Sequence, residues 1–257
     1  MYNIRMNSER GLRLTSLNIE GQQHLNLVLP FLRKQRSDVI CLQEVLEADI
    51  HEIQEATGTN VVEYVPLVQF QGPNNARMPE VSRWGILYLV KRSLEVVNPK
   101  VDFYKKDSLQ LPIYTPQDPN CVDRAILAAT IIKNGKQYRV ITTHFTWSPN
   151  GQPIPEQESN MQTLLSLLKK EDEFVLCGDT NAPRGGKIWN MIESNYHDNI
   201  PKNVQTTIDR TMHKSSSVGD YVVDCLFSTQ QYKVRRVEVA NGVSDHMAIS
   251  GVIYRSS

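Results

Sequence analysis

The feature that most constrains the fold is a series of short apolar runs rich in Val, Ile, Leu and Tyr. Runs of this length and composition, separated by polar segments, predict strands. The runs are LRLTSLN (12–18), DVICLQ (38–43), WGILYLV (84–90), AILAATII (125–132), YRVITTHF (138–145), EFVLCGD (173–179), YVVDCLF (221–227) and HMAISGVIY (246–254). Apolar residues at helical spacing predict three helices, over residues 22–36, 47–56 and 156–170. Because strands and helices alternate early and strands dominate later, the pattern predicts an α/β sandwich in which helices cover packed sheets.

Length and charge set further bounds on the protein. A chain of 257 residues can bury a sizeable core within one domain, so we expect a single domain over residues 1–257. The 28 basic and 28 acidic residues cancel, so an anionic partner such as nucleic acid must be held locally. The sequence has neither a basic-then-apolar leader nor an apolar run near the ~18 residues that a membrane span requires. We therefore expect a cytoplasmic protein without a membrane anchor.

Three of the four cysteines, Cys41, Cys177 and Cys225, lie inside apolar runs. Buried free cysteines behave as small hydrophobic residues, and no pair has the CxxC spacing typical of zinc or redox sites. We expect them to be reduced core residues. The alternative is a catalytic Cys177 beside Asp179, but no neighbouring basic residue in the sequence would lower the pKa of its thiol.

Polar side chains collect where the apolar runs stop. They are Asn18, Glu44, His144, Asp179 and Asn181, with Asp224 inside YVVDCLF and Asp245-His246 at the start of the last run. Carboxylate and amide oxygens are the ligands that a hard divalent cation such as Mg²⁺ prefers. A histidine beside an acid can donate to a phosphoryl oxygen, and an Asp–Asn pair can orient and deprotonate a water molecule. Neither the short His/Cys spacing of zinc sites nor a GxSxG turn occurs, so these residues favour Mg²⁺-assisted chemistry.

Four short motifs occur in order across nearly the whole chain: Asn18 after the first run, LQE ending at Glu44, GDTN (178–181) and SDH (244–246). In this order they resemble the motifs of the endonuclease/exonuclease/phosphatase superfamily. Each match alone is uncommon in a chain of this length, so both GDxN and SDH in the right order would be a rare accident. The resemblance implies a four-layer α/β sandwich, with two packed mixed β-sheets flanked by helices, and a Mg²⁺-dependent phosphoesterase activity.

The resemblance also implies a metal site and an activated water. Glu44 resembles the principal Mg²⁺ ligand and Asp245 a second ligand, and Mn²⁺ is an expected substitute for Mg²⁺. Asn18 resembles a residue that assists the metal through water. Asp179 resembles the residue that aligns or deprotonates the attacking water, and Asn181 resembles one that steadies the phosphoryl oxygens.

Two histidines, another acid and an arginine complete the implied site. His246 resembles the catalytic histidine that faces the phosphate, and Asp224 resembles the carboxylate that forms a hydrogen bond with it. His144, in TTHF, matches a second histidine carried by much of the family, and a satisfied core histidine is the alternative. Arg124 resembles a phosphate-contacting arginine, for which a salt bridge at the rim of the site is the alternative.

The expected substrate is a nucleic-acid phosphodiester, and the expected oligomeric state is a monomer. Arg83, Trp84, Arg124 and Trp147 stand near predicted site-facing loops, where they would hold phosphate and stack bases. The alternatives among enzymes are a phosphomonoesterase and a lipid headgroup phosphodiesterase, and the absence of an evident apolar hairpin weighs against the lipid substrate. The alternative from another class is a catalytically silent binding module on the same scaffold, which would be expected to have lost the motif acids.

Proline and glycine concentrate in three segments, FQGPNNARMPE (70–80), LPIYTPQDPN (111–120) and SPNGQPIPEQ (148–157). Long surface loops in compact domains often carry recognition. The second and third segments flank Arg124 and His144, so we expect them to set the substrate preference.

Overall fold

The structure of the protein is a computed structural model that describes residues 11–71, 81–214 and 219–256. In this part of the chain, twelve strands form two six-stranded sheets. The strands are β1 Leu12–Asn18, β2 Val39–Leu46, β3 Thr59–Gln71, β4 Val81–Lys91, β5 Glu95–Lys105, β6 Arg124–Lys133, β7 Lys136–His144, β8 Val175–Asp179, β9 His197–Asp198, β10 Asp224–Ser228, β11 Tyr232–Ala240 and β12 Ala248–Arg255. The first sheet has the order β11-β12-β1-β2-β4-β3, and the second has the order β5-β6-β7-β8-β10-β9.

Four α-helices lie on the outer faces of the sheets in the described residues. They are α1 Leu25–Gln35, α2 Ile50–Thr57, α3 Pro155–Leu168 and α4 Lys187–Glu193. Val28 of α1 and Ile53 of α2 pack with Leu42 in a separate apolar cluster on the outside of the first sheet. Leu164 of α3 and Trp189 of α4 belong to the larger core that the second sheet shares. The fold is therefore an α/β sandwich with two inner sheets and helices outside, as the sequence predicted.

The three predicted helices and the eight predicted strands are present, with one difference. The run YVVDCLF was expected to hold Asp224 inside a strand, but β10 begins at Asp224. The carbonyl groups of Tyr221 and Val223 accept hydrogen bonds from the N–H groups of Thr207 and Thr180, so this part of the run pairs with loops. Gly58 ends α2 with a φ of 65°, and its N–H group donates to the carbonyl of Gln54, which is typical of a glycine C-terminal cap.

In the described part of the chain, none of the helices combines the length and apolar character that crossing a membrane requires.

The topology brings the carboxyl ends of four strands together. β1 and β2 are parallel neighbours in the first sheet, and β7 and β8 are parallel neighbours in the second. Asn18, His144 and Asp179 end β1, β7 and β8, and Glu44 lies near the end of β2. Since β1 and β2 both pack against β8 across the core, the four ends meet at one edge of the sandwich.

Two antiparallel strands begin at the same edge. β10 starts at Asp224, which pairs with Asp179 at the end of β8. β12 is antiparallel to β1 and starts two residues after His246. Because an antiparallel strand begins beside the end of its neighbour, an acid and a histidine that precede an apolar run arrive where the parallel strands stop.

Two backbone irregularities shape this edge. The register of β2 against β4 shifts between Leu42 and Val45, and Glu44 within this bulge has a φ of 59°. Bulges often lie next to active sites and redirect side chains, and a left-handed non-glycine residue costs roughly 1–3 kcal/mol. Gly178 has a φ of 131°, and a Cβ atom there would lie 2.0 Å from the carbonyl oxygen of Thr143. Glycine at this position therefore permits the close approach of β8 to β7.

Candidate active site

Side chains from both sheets meet at this edge, and Asn18 connects them. Its Nδ2 donates to Glu44 Oε1 at 2.9 Å and to Asp179 Oδ2 at 3.1 Å. Its Oδ1 accepts the backbone N–H group of Glu20 at 3.2 Å, which fixes the amide with Nδ2 towards the two acids. The predicted role of Asn18 near the metal therefore has a geometric counterpart, a single buried amide shared by an acid from each sheet.

His246 and Asp224 form a buried pair. His246 Nδ1 and Asp224 Oδ2 are 2.9 Å apart. Burial opposes the charged form of His246, but the charges of Asp224 and Asp179 outweigh it and raise the pKa of His246 well above its ordinary value. The other ring nitrogen, Nε2, lies 3.8 Å from Asp179 Oδ2. His246 is therefore held at one nitrogen and directed into the site by the other, in surroundings that favour its protonated form.

Asp179 lies at the centre of the site. Its Oδ1 accepts the backbone N–H group of Asn181 at 2.7 Å. Burial raises the pKa of Asp179 to about 6, with the charge of His246 opposing the increase and that of Asp224 adding to it. Asn181 has a φ of 49°, a conformation that asparagine tolerates, and its Nδ2 donates to the carbonyl of Phe145 at 3.0 Å. A fixed carboxylate with a pKa close to neutrality is suited to accept a proton from water.

Glu44 and Asp245 form a second group of acids. Burial raises the pKa of Glu44 to about 7, and repulsion from Asp245 adds to the increase. Burial also raises the pKa of Asp245, and the charge of His246 opposes this. Since both carboxylates are destabilised in their charged forms, a cation between them would stabilise the site.

Two groups of donors are available to a metal ion. The ligand atoms of Asp179, Asp224 and His246 lie within 4.8 Å of one another. In that group, however, Asp224 and His246 bind each other, and surroundings that favour a protonated imidazole disfavour a cation at the same place. Glu44 and Asp245 offer oxygen atoms only, which are the ligands that Mg²⁺ and Mn²⁺ prefer. The chemistry of Glu44 and Asp245 therefore fits a hard divalent cation better.

His144 is a neutral, buried histidine beside Asp179. Burial lowers the pKa of His144 well below its ordinary value, and the charge of Arg124 adds to the decrease. Its Nε2 lies 3.5 Å from Asp179 Oδ2, and its Nδ1 has no hydrogen-bond partner among the described residues. The Arg124 guanidinium is buried and donates to the carbonyl of His144 at 3.2 Å. Arg124 therefore binds the backbone of His144. A contact between Arg124 and phosphate stays a prediction.

A pocket of about 200 Å³ opens beside His246 and Asn181. Trp147 and Tyr221 supply aromatic lining, and the Trp147 side chain is 40% exposed. Ser148 also lines the pocket; it is 3% exposed, and its Oγ has no hydrogen-bond partner in the described part of the chain. The pocket thus offers an aromatic surface and an unused hydroxyl group next to His246 of the Asp224–His246 pair.

Of the loops and aromatic residues named from the sequence, some meet at the pocket and others lie elsewhere. Asn120 and Trp147 bind each other reciprocally, at 3.0 Å from Asn120 Nδ2 and 3.2 Å from the Trp147 N–H group, so the segments around residues 111–120 and 148–157 meet at the pocket. Trp84 is buried, with its ring centre 5.1 Å from that of His144, and the exposed Arg83 pairs with Glu47. Most of FQGPNNARMPE, residues 72–80, lies outside the described residues.

Residues 207–209 form hydrogen bonds with two of the predicted site residues, although no sequence motif marks the segment. The N–H group of Asp209 donates to the carbonyl of Asp245 at 2.8 Å. Thr207 Oγ1 accepts the backbone N–H group of Asp224 at 3.1 Å. The segment therefore ties the SDH motif to the start of β10. It forms no regular element in the structure, and a short Thr- and Asp-containing stretch predicts no more than a turn.

The sequence matches the model of the endonuclease/exonuclease/phosphatase family over residues 3–246. Among curated proteins, none matches the sequence closely enough to be compared.

Solved structures of low sequence identity share the fold over nearly their full length. The catalytic domain of human Nocturnin, solved with a bound sulfate anion, is 16% identical with a TM-score of 0.70, over 96% of this chain and 94% of that one. A mannosyl-6-phosphatase of Bacteroides thetaiotaomicron is 13% identical with a TM-score of 0.68, over 95% and 99%. ANGEL2, a 2′,3′-cyclic phosphatase in complex with adenosine-2′,3′-vanadate, is 14% identical with a TM-score of 0.61, over 94% and 95%.

Proposed function

Since the chain belongs to the endonuclease/exonuclease/phosphatase family, we propose that it is a Mg²⁺-dependent phosphodiesterase that acts on nucleic acid. The observation that carries the proposal is the meeting of the Asp224–His246 pair with Asp179 and Glu44 at one edge of the sandwich. An acid–histidine pair, a near-neutral carboxylate and an oxygen-rich metal site are the parts that metal-assisted hydrolysis requires.

Asp179 is the proposed base for the attacking water. With a pKa of about 6 it is mostly ionised at neutral pH and still basic enough to accept a proton. Asn181 and Asn18 hold its two oxygens, so the carboxylate is oriented before substrate binds. A divalent cation bound by Glu44 and Asp245 would neutralise part of the charge on the phosphate group.

His246 is the proposed donor to a non-bridging phosphoryl oxygen. Asp224 holds the Nδ1 side of the ring at 2.9 Å, which leaves Nε2–H free to donate into the site. The neutral His144 and the amide of Asn181 lie around the same space and are candidates for further hydrogen bonds to the phosphate.

The pocket beside His246 supports a nucleic-acid substrate. An exposed tryptophan can stack on a base, and stacking on an aromatic side chain contributes about 1–3 kcal/mol per base. The unused Ser148 hydroxyl is available to a polar group on the ring. The adenosine compound bound by ANGEL2 shows that a protein of the same fold accommodates a nucleoside group.

A phosphomonoesterase is the second candidate, and the size of the pocket favours it. At about 200 Å³ the pocket is smaller than the ~300–1,000 Å³ of typical ligand sites, so it holds a single ring rather than a chain. The mannosyl-6-phosphatase among the structural neighbours acts on a sugar phosphate.

Turnover of a substrate panel separates these functions. Single-stranded and abasic DNA, RNA, a 5′-tyrosyl oligonucleotide, a sugar phosphate, a phosphoinositide and sphingomyelin are each assayed with Mg²⁺ and with a chelator. We expect Mg²⁺-dependent cleavage of an oligonucleotide. Faster turnover of the sugar phosphate would establish the second candidate, turnover of sphingomyelin or the phosphoinositide would establish a lipid substrate, and binding without any turnover would establish the silent module.

Trp147→Ala tests the assigned pocket directly. Loss of a stacking surface should raise the KM for a nucleotide substrate by about 5- to 100-fold, with little change for a substrate that lacks a ring on that side. Leu109→Ala is the matched control, because Leu109 is 98% exposed and lies outside the pocket. Equal effects of the two variants would contradict the assignment.

A further inference from the structure

A groove of about 840 Å³ lies at the end of the sandwich away from the active site. Its lining comes from the start of β1, the connection between α1 and β2, the end of β4, the turn between β6 and β7, and the strands β11 and β12. Asp38 lines the groove, and Glu44 lies six residues further along β2, which at ~3.3 Å per residue separates the two sites by about 20 Å. The volume falls within the ~300–1,000 Å³ range of small-molecule sites.

The groove is basic, although the whole chain has no net charge. Five cationic side chains line it together with two acids: Arg13, Arg36, Lys91, Lys133 and Arg236, with Asp38 and Glu238. Lys133 Nζ lies 2.6 Å from Asp38 Oδ2, so this pair is neutral. Four cations then face a single acid, which leaves three positive charges in excess.

Two of these arginines have a left-handed backbone conformation, which is disfavoured for any residue with a Cβ atom. Arg36 follows α1 with a φ of 50°, and Arg236 has a φ of 54° within the bulge of β11 against β12. Glycine is preferred at such positions. Neither guanidinium forms an ion pair with any residue that the structure describes. Arginine at two costly positions around one groove indicates that the two charges have a function there.

The rest of the lining indicates what kind of ligand the charges would hold. Ser93 and Ser250 add hydroxyl donors, whereas Leu14, Leu94 and Val252 are the larger apolar members. No aromatic side chain of the described residues lines the groove, so it has no surface on which a base would stack. Guanidinium groups match the geometry of phosphate oxygens with paired hydrogen bonds. The groove is therefore complementary to linked phosphate groups rather than to a ring.

We propose that this groove is a second binding site, separate from the active site, which takes a small anion with two or more linked phosphate groups. An inorganic polyphosphate and the triphosphate of a nucleotide share this chemistry. The proposal does not depend on the proposed function.

Calorimetric titration of the full chain with inorganic triphosphate, in the presence of a chelator, tests the site. We expect one molecule to bind, and inorganic monophosphate to bind at least tenfold more weakly. Arg36→Gly combined with Arg236→Gly should weaken triphosphate binding about a hundredfold, since a hydrogen bond to a charged group accounts for about tenfold or more. The melting temperature of this variant should stay equal or rise, because glycine relieves both backbone conformations.

Lys34→Gln combined with Arg235→Gln is the matched control, since it removes two positive charges close in sequence to Arg36 and Arg236 from residues that do not line the groove. It should bind triphosphate like the wild type, and so should His246→Ala. ATP as tight as triphosphate would identify the phosphates alone as the ligand, and tighter ATP would identify a nucleotide. Absence of binding, equal losses in the groove and control variants, or loss only in His246→Ala would overturn the proposal.

Discussion

Replacing Asp224 with Asn removes the negative charge beside His246 and keeps the shape of the side chain. The amide oxygen can still accept from Nδ1–H, so the 2.9 Å contact should survive while the imidazolium loses its counter-charge. Loss of general acid–base assistance lowers kcat by about 10²–10⁴-fold, which corresponds to about 3–5 kcal/mol at 1.36 kcal/mol per tenfold. We expect a decrease in this range for Asp224→Asn, and at least as large a decrease for His246→Ala.

If the two residues act as one unit, as the proposed mechanism requires, the double variant should lose little beyond the worse single variant. The assay is kcat for both single variants and the double variant across a Mg²⁺ series. Asp198→Asn is the control, since Asp198 is a buried acid on β9, next to β10, that pairs with Arg184 away from the site. It should lower the melting temperature and leave kcat unchanged. Recovery of Asp224→Asn at high Mg²⁺, or fully additive losses, would show that Asp224 serves the metal instead.

Two further predictions concern the carboxylates of Glu44 and Glu171. Glu44→Gln should weaken Mg²⁺ binding at least tenfold, as measured by calorimetry. It should also raise the melting temperature of the metal-free protein, because it removes a buried charge repelled by Asp245. An unchanged affinity for Mg²⁺ would contradict the assignment of Glu44 as a ligand. Burial raises the pKa of Glu171, but hydrogen bonds from Arg139 and Lys100 outweigh it and hold the pKa below 4.5. This stabilisation is present above pH 4.5 and is lost as the pH falls through the folded-state pKa. Glu171→Gln should therefore cost about 1–2 kcal/mol at pH 7 in urea unfolding and progressively less in acid, whereas a constant difference would refute the linkage.

The strands that could be predicted from the sequence are the interior ones. The eight apolar runs correspond to the eight strands with neighbours on both sides, and the four strands without a run, β3, β5, β9 and β11, are the sheet edges. An edge strand is exposed along one side, so its pattern is less apolar. Pro66 in β3 and Pro99 in β5 interrupt two of them, and proline in a sheet is largely confined to edges.

The residues that meet at this edge of the sandwich could be selected from the sequence by motif order, but their contacts could not, and their catalytic roles stay predictions. Asp224 and His246 come from different sheets, and the sequence alone does not place their atoms 2.9 Å apart. The sequence also does not show that Arg124 is buried and donates to the carbonyl of His144, because an arginine at the start of an apolar run is equally compatible with a surface position. Residues 207–209 act through the backbone N–H group of Asp209 and the hydroxyl group of Thr207, which are too common in sequences to mark a site.

The division of the site between two sheets has a consequence for how activity arises during synthesis. Asn18, Glu44, Asp245 and His246 come with the first sheet, and His144, Asp179 and Asp224 come with the second. The first sheet is itself completed late, because β12 must join β1 from the other end of the sequence. A partly made or half-folded chain therefore lacks part of the proposed set of base, donor and metal ligands. If the proposed function holds, the return of turnover during refolding would report the docking of the two sheets rather than the formation of either one.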